Sequence, residues 1–517
     1  MSASKALIEE DIRFIFSERA RFARMEQEWF STKQCPGELR EAFLWEIPHP
    51  TDKANKLTVG REAIVRLEGL AATALQRAGI EQQVDLSTVR MPLGTILFRK
   101  FALEERPIDT KNVDRALSEV AKLAARSIKA RTHFIPCHLM HAKEPPEFRI
   151  GPVRFMSQRT FRSRVAGLIW QDRSSYRGDN WLRRESAKYY GSFGWIAEVT
   201  IPCCDERTSE RLATAAVTSA LDCLHILFRA SHSARMGVGG PAVKHDRRAT
   251  LQLVDSALSF STSVGWPGEV AFPDDWATAF EQPEHRYVLD LFGAALESAV
   301  DPRLDRPLSE RFLDAALWFG EAVREPSRAA KVIKYVTALE RLVMTDEKDD
   351  ITSQVAARVS AICVDPDDPN SREQLRKEAE RAYSLRSKLA HGSLSPKSDQ
   401  IFEGVRLGAK LCELTLVNAL AMFGFQGLRA EQLTRSDVVA GFQTVVARAD
   451  RLTGSRETHV AGGEAEDRGR SKETASIAAA GAEEADRSSS DDCVAPSTDK
   501  ETNASEPVIR TSGQSRR

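Results

Sequence analysis

SREQLRKEAERAYSLRSKLAHG, residues 371–392, is the stretch from which the fold of this chain can be worked outward. Ser371 has the chemistry of a helix N-cap with Glu373 just inside it, and Gly392 followed by Ser395 and Pro396 supplies the stop. The spacing therefore predicts one helix of about 20 residues. Apolar residues recur at Ala379, Ala382, Tyr383 and Ala390, and Arg386 takes the next place in that series, at the edge of the packed face. An arginine so placed needs a partner. His391 follows about 140° further round the helix, and Lys388 points roughly opposite Arg386.

The residue types matter as much as their spacing. A guanidinium stabilises charge on a transferring phosphoryl group, and a histidine moves protons near neutral pH, so the pair suits cleavage of RNA without a metal. One helix does not easily aim Arg386 and His391 at a single phosphate. Two copies facing each other across a twofold axis would bring both residues into one cleft, which makes a homodimer part of the expected mechanism.

Further out, apolar positions at three- and four-residue spacing predict helices at 309–324, 327–344, 352–363, 372–391, 398–423 and 436–452, which together form a helical bundle. The helix over 398–423 carries Ile401, Val405, Ala409, Cys412, Leu416, Ala419 and Phe423 on one stripe. Residues 365–370, with Pro366 and Pro369 among acids and an amide, are an interhelical loop. Glu340 abuts the stripe Val332, Ile333, Val336 and Val343 and has no cation at three- or four-residue spacing on its own helix. It is the acid expected to orient Arg386, the alternative being a plain solvated carboxylate.

The first 300 residues are less uniform. Helical patterning is expected at 8–29, 61–78 and 113–129 with a short strand over 94–101, then β-like runs at 133–137, 148–155 and 195–201. A strong helix follows at 209–229, and then a Gly- and Pro-rich, loop-rich stretch to about residue 283. The fold class expected is mostly α with α+β character. Residues 1–300 form a mixed helical and short-strand region with a break near 130, residues 305–452 a helical bundle, and residues 455–517 a tail. From Ser455 onward there is no Phe, Trp, Tyr, Leu or Met, so the tail is expected to be disordered for want of apolar surface to bury.

Composition narrows the function classes. At 517 residues the chain can hold two to four domains. Its 73 Lys plus Arg stand against 74 Asp plus Glu, so there is no global basic field of the kind a duplex-coating protein needs. The tail takes 9 of those cations and 13 of those acids, leaving 64 against 61, a net charge of +3 for the rest. Cysteines at 35, 137, 203, 204, 223, 363, 412 and 493 show no paired C-x-x-C spacing and suit a reducing cytosol. The N-terminus is acidic rather than a basic, apolar signal. The apolar run 407–425 is interrupted by Lys410, Glu413 and Asn418, so it is expected to be a bundle helix and not a membrane span. The expectation is a cytoplasmic protein with no membrane partner.

Other motifs are weaker. His133, Cys137, His138 and His141 are ligand types that zinc accepts, but a strand entering a turn would alternate their faces, and no metal is expected. Cys203 and Cys204 are expected to be ordinary thiols. Residues 237–240, Gly-Val-Gly-Gly, lack the lysine and hydroxyl of a phosphate-binding loop and are expected to be a flexible turn. The aromatic and basic residues of 159–190, with Trp170, Tyr176, Trp181, Arg183 and Arg184, have the composition of a single-strand stacking surface or of a solvated segment.

The run Ala382-Tyr383-Ser384-Leu385-Arg386-Ser387-Lys388-Leu389-Ala390-His391-Gly392, with Ala338-Leu339-Glu340-Arg341-Leu342 on an upstream helix, resembles the Apea-like branch of the HEPN domains. The resemblance covers about residues 305–450. It implies a small helical bundle, often dimeric, and an endoribonuclease that uses no metal or other cofactor. Its signature is an arginine, a polar residue, three variable residues and a histidine. Here those positions are Arg386, Ser387 and His391, with serine where active members most often hold asparagine, aspartate or histidine. The resemblance implies catalytic roles for Arg386, His391 and Ser387, supporting roles for Glu340 and Tyr383, and RNA as partner. It also implies a setting of toxin or antiviral defence, in which residues 1–300 sense a trigger or partner protein. The alternative is a non-catalytic HEPN module that dimerises or binds RNA as a scaffold.

Overall fold

The computed structural model describes residues 2–42, 45–52, 54–140, 145–171, 179–240, 246–254, 257–265, 276–345, 350–368 and 371–457. The tail expected over 455–517 lies, from residue 458 on, outside the described residues.

The chain opens with helices α1 (Ser2–Thr32) and α2 (Gly37–Ala42), a short antiparallel pair β1 (Glu46–Pro48) and β2 (Lys56–Thr58), then α3 (Arg61–Ala78), α4 (Leu86–Leu97) and α5 (Thr110–Ser127). Ile8, Ile12 and Ile15 of α1 pack with Ile64, Leu67, Leu70 and Leu75 of α3 and with Val113, Leu117 and Val120 of α5, giving these residues a core of their own. Helix α3 runs over the expected 61–78 and ends on Gly79, whose left-handed backbone lets its N–H reach back to Gln76 and Leu75. The strand expected over 94–101 is instead helix. Helix α4 passes directly into a π-helical turn at Phe98–Leu103. A short apolar run fits a buried helix as well as a buried strand, and this one is covered by α3 and α5.

The β-like runs do form a sheet. Strands β3 (Lys129–His138), β4 (Glu147–Ile150), β5 (Val153–Ser157) and β6 (Trp195–Cys204) join with the two-residue β7 (Gly237–Val238) in the order β4-β5-β6-β3-β7, every pairing antiparallel. Between β5 and β6 run α6 (Gln158–Gln171) and α7 (Asp179–Tyr190), and after β6 come α8 (Glu206–Phe228) and α9 (Ala230–Ser233). Trp195, Ala197, Val199 and Ile201 of β6 face α8, while Ile196 faces Phe161 and Val165 of α6, so the alternation of one strand buries both faces of the sheet. The expected turn at 237–240 is in part this edge strand: Gly237 and Val238 pair with His138 and Cys137, and the Gly239 N–H donates to Pro136 O at 2.6 Å. The loop-rich stretch also holds more order than its composition announces, with a hairpin of β8 (Asp246–Val254) and β9 (Ala257–Gly265) and the helix α10 (Trp276–Glu281).

The remaining helices are α11 (Pro283–Val300), α12 (Pro307–Arg324), α13 (Arg328–Val343), α14 (Ile351–Ile362), α15 (Ser371–Ala390), α16 (Gln400–Leu428) and α17 (Arg435–Glu457). Each of the six bundle helices expected from periodicity is present within a few residues of its bounds, and the chain is mostly α. Helix α16 continues past Phe423 because a break at Gly424, with φ at 57°, redirects it without ending it. One hydrophobic core runs without interruption from the sheet through α8 and α11 into α12, α13, α14, α15 and α16. Helices α8 and α16 are long and apolar enough to cross a membrane, a property that buried core helices share.

Two polar devices hold α8 in place. Asp205 caps it by accepting from Thr208 N–H at 2.9 Å, and its second oxygen accepts from Asp85 N–H and from Thr88 Oγ, which ties α4 to α8. Gln83 doubles the tie by donating to Cys203 O at 3.0 Å. Deeper in α8, Arg324 Nη1 reaches Asp222 Oδ1 at 2.7 Å and His225 Nε2 at 2.9 Å. His225 Nδ1 lies 2.8 Å from Ser233 Oγ, which donates to Arg229 O. A cation at Nε2 requires the imidazole to carry its hydrogen on Nδ1, so the histidine is neutral and donates to the serine. Gly320 makes room: a Cβ there would stand 1.9 Å from Asp222 Oδ1.

Burial outweighs the Arg324 contact and pushes the Asp222 carboxyl up to about 7, while burial together with Arg324 pulls His225 down to about 3. The two linkages oppose each other. As pH falls below 7 the folded chain takes up a proton at Asp222 before the unfolded chain does and gains stability. The unfolded chain takes one up at His225 before the folded chain does, and stability is lost. Asp222→Asn removes the first term alone. The variant is expected to lose stability more steeply than the wild type between pH 7.5 and pH 5, measured by urea unfolding at both values; parallel slopes would refute the assignment.

Candidate functional site

Helix α15 is charged on three sides, and those charges seat it. Lys410 of α16 meets Glu378 at 2.8 Å, Arg381 meets Glu403 of α16 at 2.9 Å, and Arg372 meets Asp450 of α17 at 2.7 Å. Its buried side consists of Leu375, Ala379, Ala382, Tyr383 and Leu385. Ala390, expected on the packed stripe, is exposed, because the apolar face ends where the helix leaves the bundle. The helix closes on Gly392, with φ at 73°: Gly392 N–H donates to Leu389 O at 3.2 Å and Ser393 N–H to Lys388 O at 2.9 Å. This is the double backbone closure that a left-handed glycine permits. Leu394 then folds back onto the small core of Val332, Leu385 and Ile401, against which Leu389 also packs.

Arg386 does have the partner its position demands. Its Nη2 lies 3.2 Å from Glu340 Oε2, a pair joining α15 to the last turn of α13 with side chains 28% and 19% exposed. The same guanidinium carbon sits 5.5 Å from the centre of the Tyr383 ring, one turn earlier on its own helix. Tyr383 is buried, and burial together with the Glu340 carboxylate raises its phenol above the ordinary tyrosine range. Arg386 Nε is buried without a hydrogen-bond partner among the described residues. The guanidinium is therefore held from one side, with donor capacity left over.

Ser387 and His391 lie elsewhere. Ser387 is half-buried, and its backbone carbonyl accepts the His391 N–H at 2.9 Å. The His391 side chain is exposed beyond the helix end, and no ion pair or hydrogen bond connects it to Arg386 among the described residues. Within one chain the structure thus brings together Arg386, Glu340 and Tyr383 and keeps His391 apart from them, in line with the angular separation along the helix.

The histidine and cysteine run of β3 is dispersed. His133 Nε2 lies 2.6 Å from Ser209 Oγ, Cys137 is buried beneath the sheet, the His138 ring packs on Phe193, and His141 lies outside the described residues. Cys203 and Cys204 are free thiols, raised by burial, with Cys204 pushed up to about 12. Of residues 159–190, 159–171 lie in α6 and 179–190 in α7, with Trp181 exposed, while 172–178, Tyr176 among them, lie outside the described residues. The cluster of Asp222, His225, Ser233 and Arg324 was not anticipated. Its trace in the sequence is two ionisable residues, Asp222 and His225, inside the apolar run Leu221–Phe228 of a helix.

No protein-family model, curated protein or solved structure matches the chain.

The Arg386–Glu340 pair is shielded enough to be felt in stability. A double-mutant cycle of Glu340→Ala and Arg386→Ala is expected to give a coupling of about 1 kcal/mol by chemical denaturation. Additive single-mutant effects would mean that the contact contributes nothing.

Proposed function

We propose that this chain is a metal-independent endoribonuclease of HEPN type, active as a homodimer, with Arg386 and His391 of two protomers forming a composite site. The observation that carries the reading is the arginine itself. It is oriented by Glu340 and backed by Tyr383, yet it keeps a partly exposed side chain on the helix that an exposed histidine directly follows. Just past the end of that helix stands the His391 imidazole, which has no partner among the described residues.

In this reading the ribose 2′-oxygen attacks the adjacent phosphorus and the bond to the 5′-oxygen breaks, leaving a 2′,3′-cyclic phosphate and a free 5′-hydroxyl. His391 of one protomer takes the 2′ proton and the partner's His391 returns one to the leaving oxygen. Arg386 stabilises the charge that builds on the phosphoryl oxygens, and Ser387 hydrogen-bonds the phosphate or the ribose. Residues 1–300 select the RNA or sense a trigger, in the cytoplasm and in a setting such as toxin action or antiviral defence. A second reading, a silent scaffold that dimerises or binds RNA, is favoured by the fact that Arg386 is already engaged by Glu340.

The wild type is expected to cut single-stranded and structured RNA in EDTA, giving cyclic phosphate ends. Arg386→Ala and His391→Ala are each expected to lose about a hundredfold or more in rate. Absence of cutting by the wild type, or equal cutting by all three proteins, favours the scaffold.

A further inference from the structure

The end of the bundle where α15 stops carries features that cleavage by Arg386 and His391 does not use. Phe402, in the first turn of α16, is 55% exposed, although Ile401 just before it is buried with Val332 and Leu385. One face of its ring is already taken: the guanidinium carbon of Arg328, the first residue of α13, lies 4.1 Å from the ring centre. Such a contact restrains the ring, while the residue as a whole stays more than half exposed. Val332 is one turn beyond Arg328, Leu389 lies two residues before His391, and both pack with Ile401 in the same small core. Ring, guanidinium and imidazole therefore share one end of the bundle. Arg328, Lys388 and Lys397 are exposed there and form no ion pair among the described residues, with Asp399 the acid in the turn over 392–399.

An exposed phenylalanine braced by a guanidinium, among cations without acidic partners, matches the chemistry of single-stranded nucleic acid. Every base offers a π face, and every linkage offers an anion. We propose that Phe402 with Arg328 is a base-stacking subsite for single-stranded RNA, seating a nucleotide that flanks the one cleaved at His391. The cleavage part rests on the ribonuclease reading, whereas the stacking part requires only that RNA binds.

The test uses the full chain and a short fluorescein-labelled single-stranded RNA. Binding is followed by polarisation in a His391→Ala background, with Phe402→Ala and Phe402→Tyr added to it, and cleavage in EDTA is followed for the wild type and for Phe402→Ala. Phe402→Ala is expected to weaken binding about fivefold or more, and Phe402→Tyr to restore it. Because the ring is exposed, the melting temperature should stay unchanged. In the cleavage assay the loss should appear in KM more than in kcat. Cleavage by the wild type with unaltered binding and KM in Phe402→Ala overturns the subsite and leaves the nuclease standing. Binding that depends on Phe402 without any cleavage supports the subsite and overturns the nuclease. Absence of both removes both.

Discussion

Helix α8 packs between the sheet and the helices α11 and α12, and much of the architecture follows from that placement. One side, through Ala213, Ala216 and Val217, covers the sheet, and the continuation of the same core reaches α11 and α12. At its N-terminus the side facing α4 is closed to water, with Asp205, Thr208 and Ser209 all buried. Asp205 accordingly closes its N-terminus from within and turns its spare oxygen toward α4. The same constraint explains Gly320, since only a residue without a side chain lets α12 approach the carboxylate of Asp222. Fully buried charges are costly unless paired, and here pairing is incomplete, because Asp222 Oδ2 is buried without a partner among the described residues. The cluster therefore holds α8 and α12 in one arrangement more than it adds net stability.

The candidate site inherits its rigidity from this core. Helix α16 approaches α13 closely at two glycines: a Cβ on Gly404 would stand 2.9 Å from Val332, and one on Gly408 2.8 Å from Tyr335. That close approach fixes the frame on which α15 lies, held to α16 by the Glu378 and Arg381 ion pairs. Those surface pairs are individually weak, but they act on a helix already anchored by Leu375, Ala379 and Ala382. Arg386 is thus presented by a rigid element, and Glu340 comes from the neighbouring element that the same core locks in place.

Much of this was legible in the chain of residues because bundle helices advertise themselves. Three- and four-residue recurrence marked α12 to α17, and an acid lacking cationic neighbours on its own helix pointed from Glu340 to Arg386. The failures share a physical cause. At 94–101 an apolar run without polar alternation carries no period, and only the packing of α3 and α5 decides for helix. At 237–240 the glycines read as a turn, but sheet pairing with Cys137 and His138 comes from far away in the chain. The polar cluster around Arg324 draws Asp222, His225 and Ser233 from two helices and joins them to the end of α12, and no local pattern encodes such a meeting.

Arg386 and His391 stand in different relations to folding, and that difference bears on what each can be for. Arg386 is bound into the fold by Glu340 and Tyr383, so a structural account of it is always available. His391 has none of comparable weight. The helix is closed by backbone bonds from Gly392 and Ser393 to Leu389 and Lys388, and the fold-back of Leu394 completes the stop. None of these bonds uses the imidazole, and any residue that tolerates the last turn would serve. A group with a fixed place, an exposed ring and no folding role among the described residues is free to be chosen for its chemistry. Its own chain turns Arg386 toward Glu340 of α13 and leaves the imidazole exposed, so within one chain the first group serves the packing of α15 on α13 and the second does not.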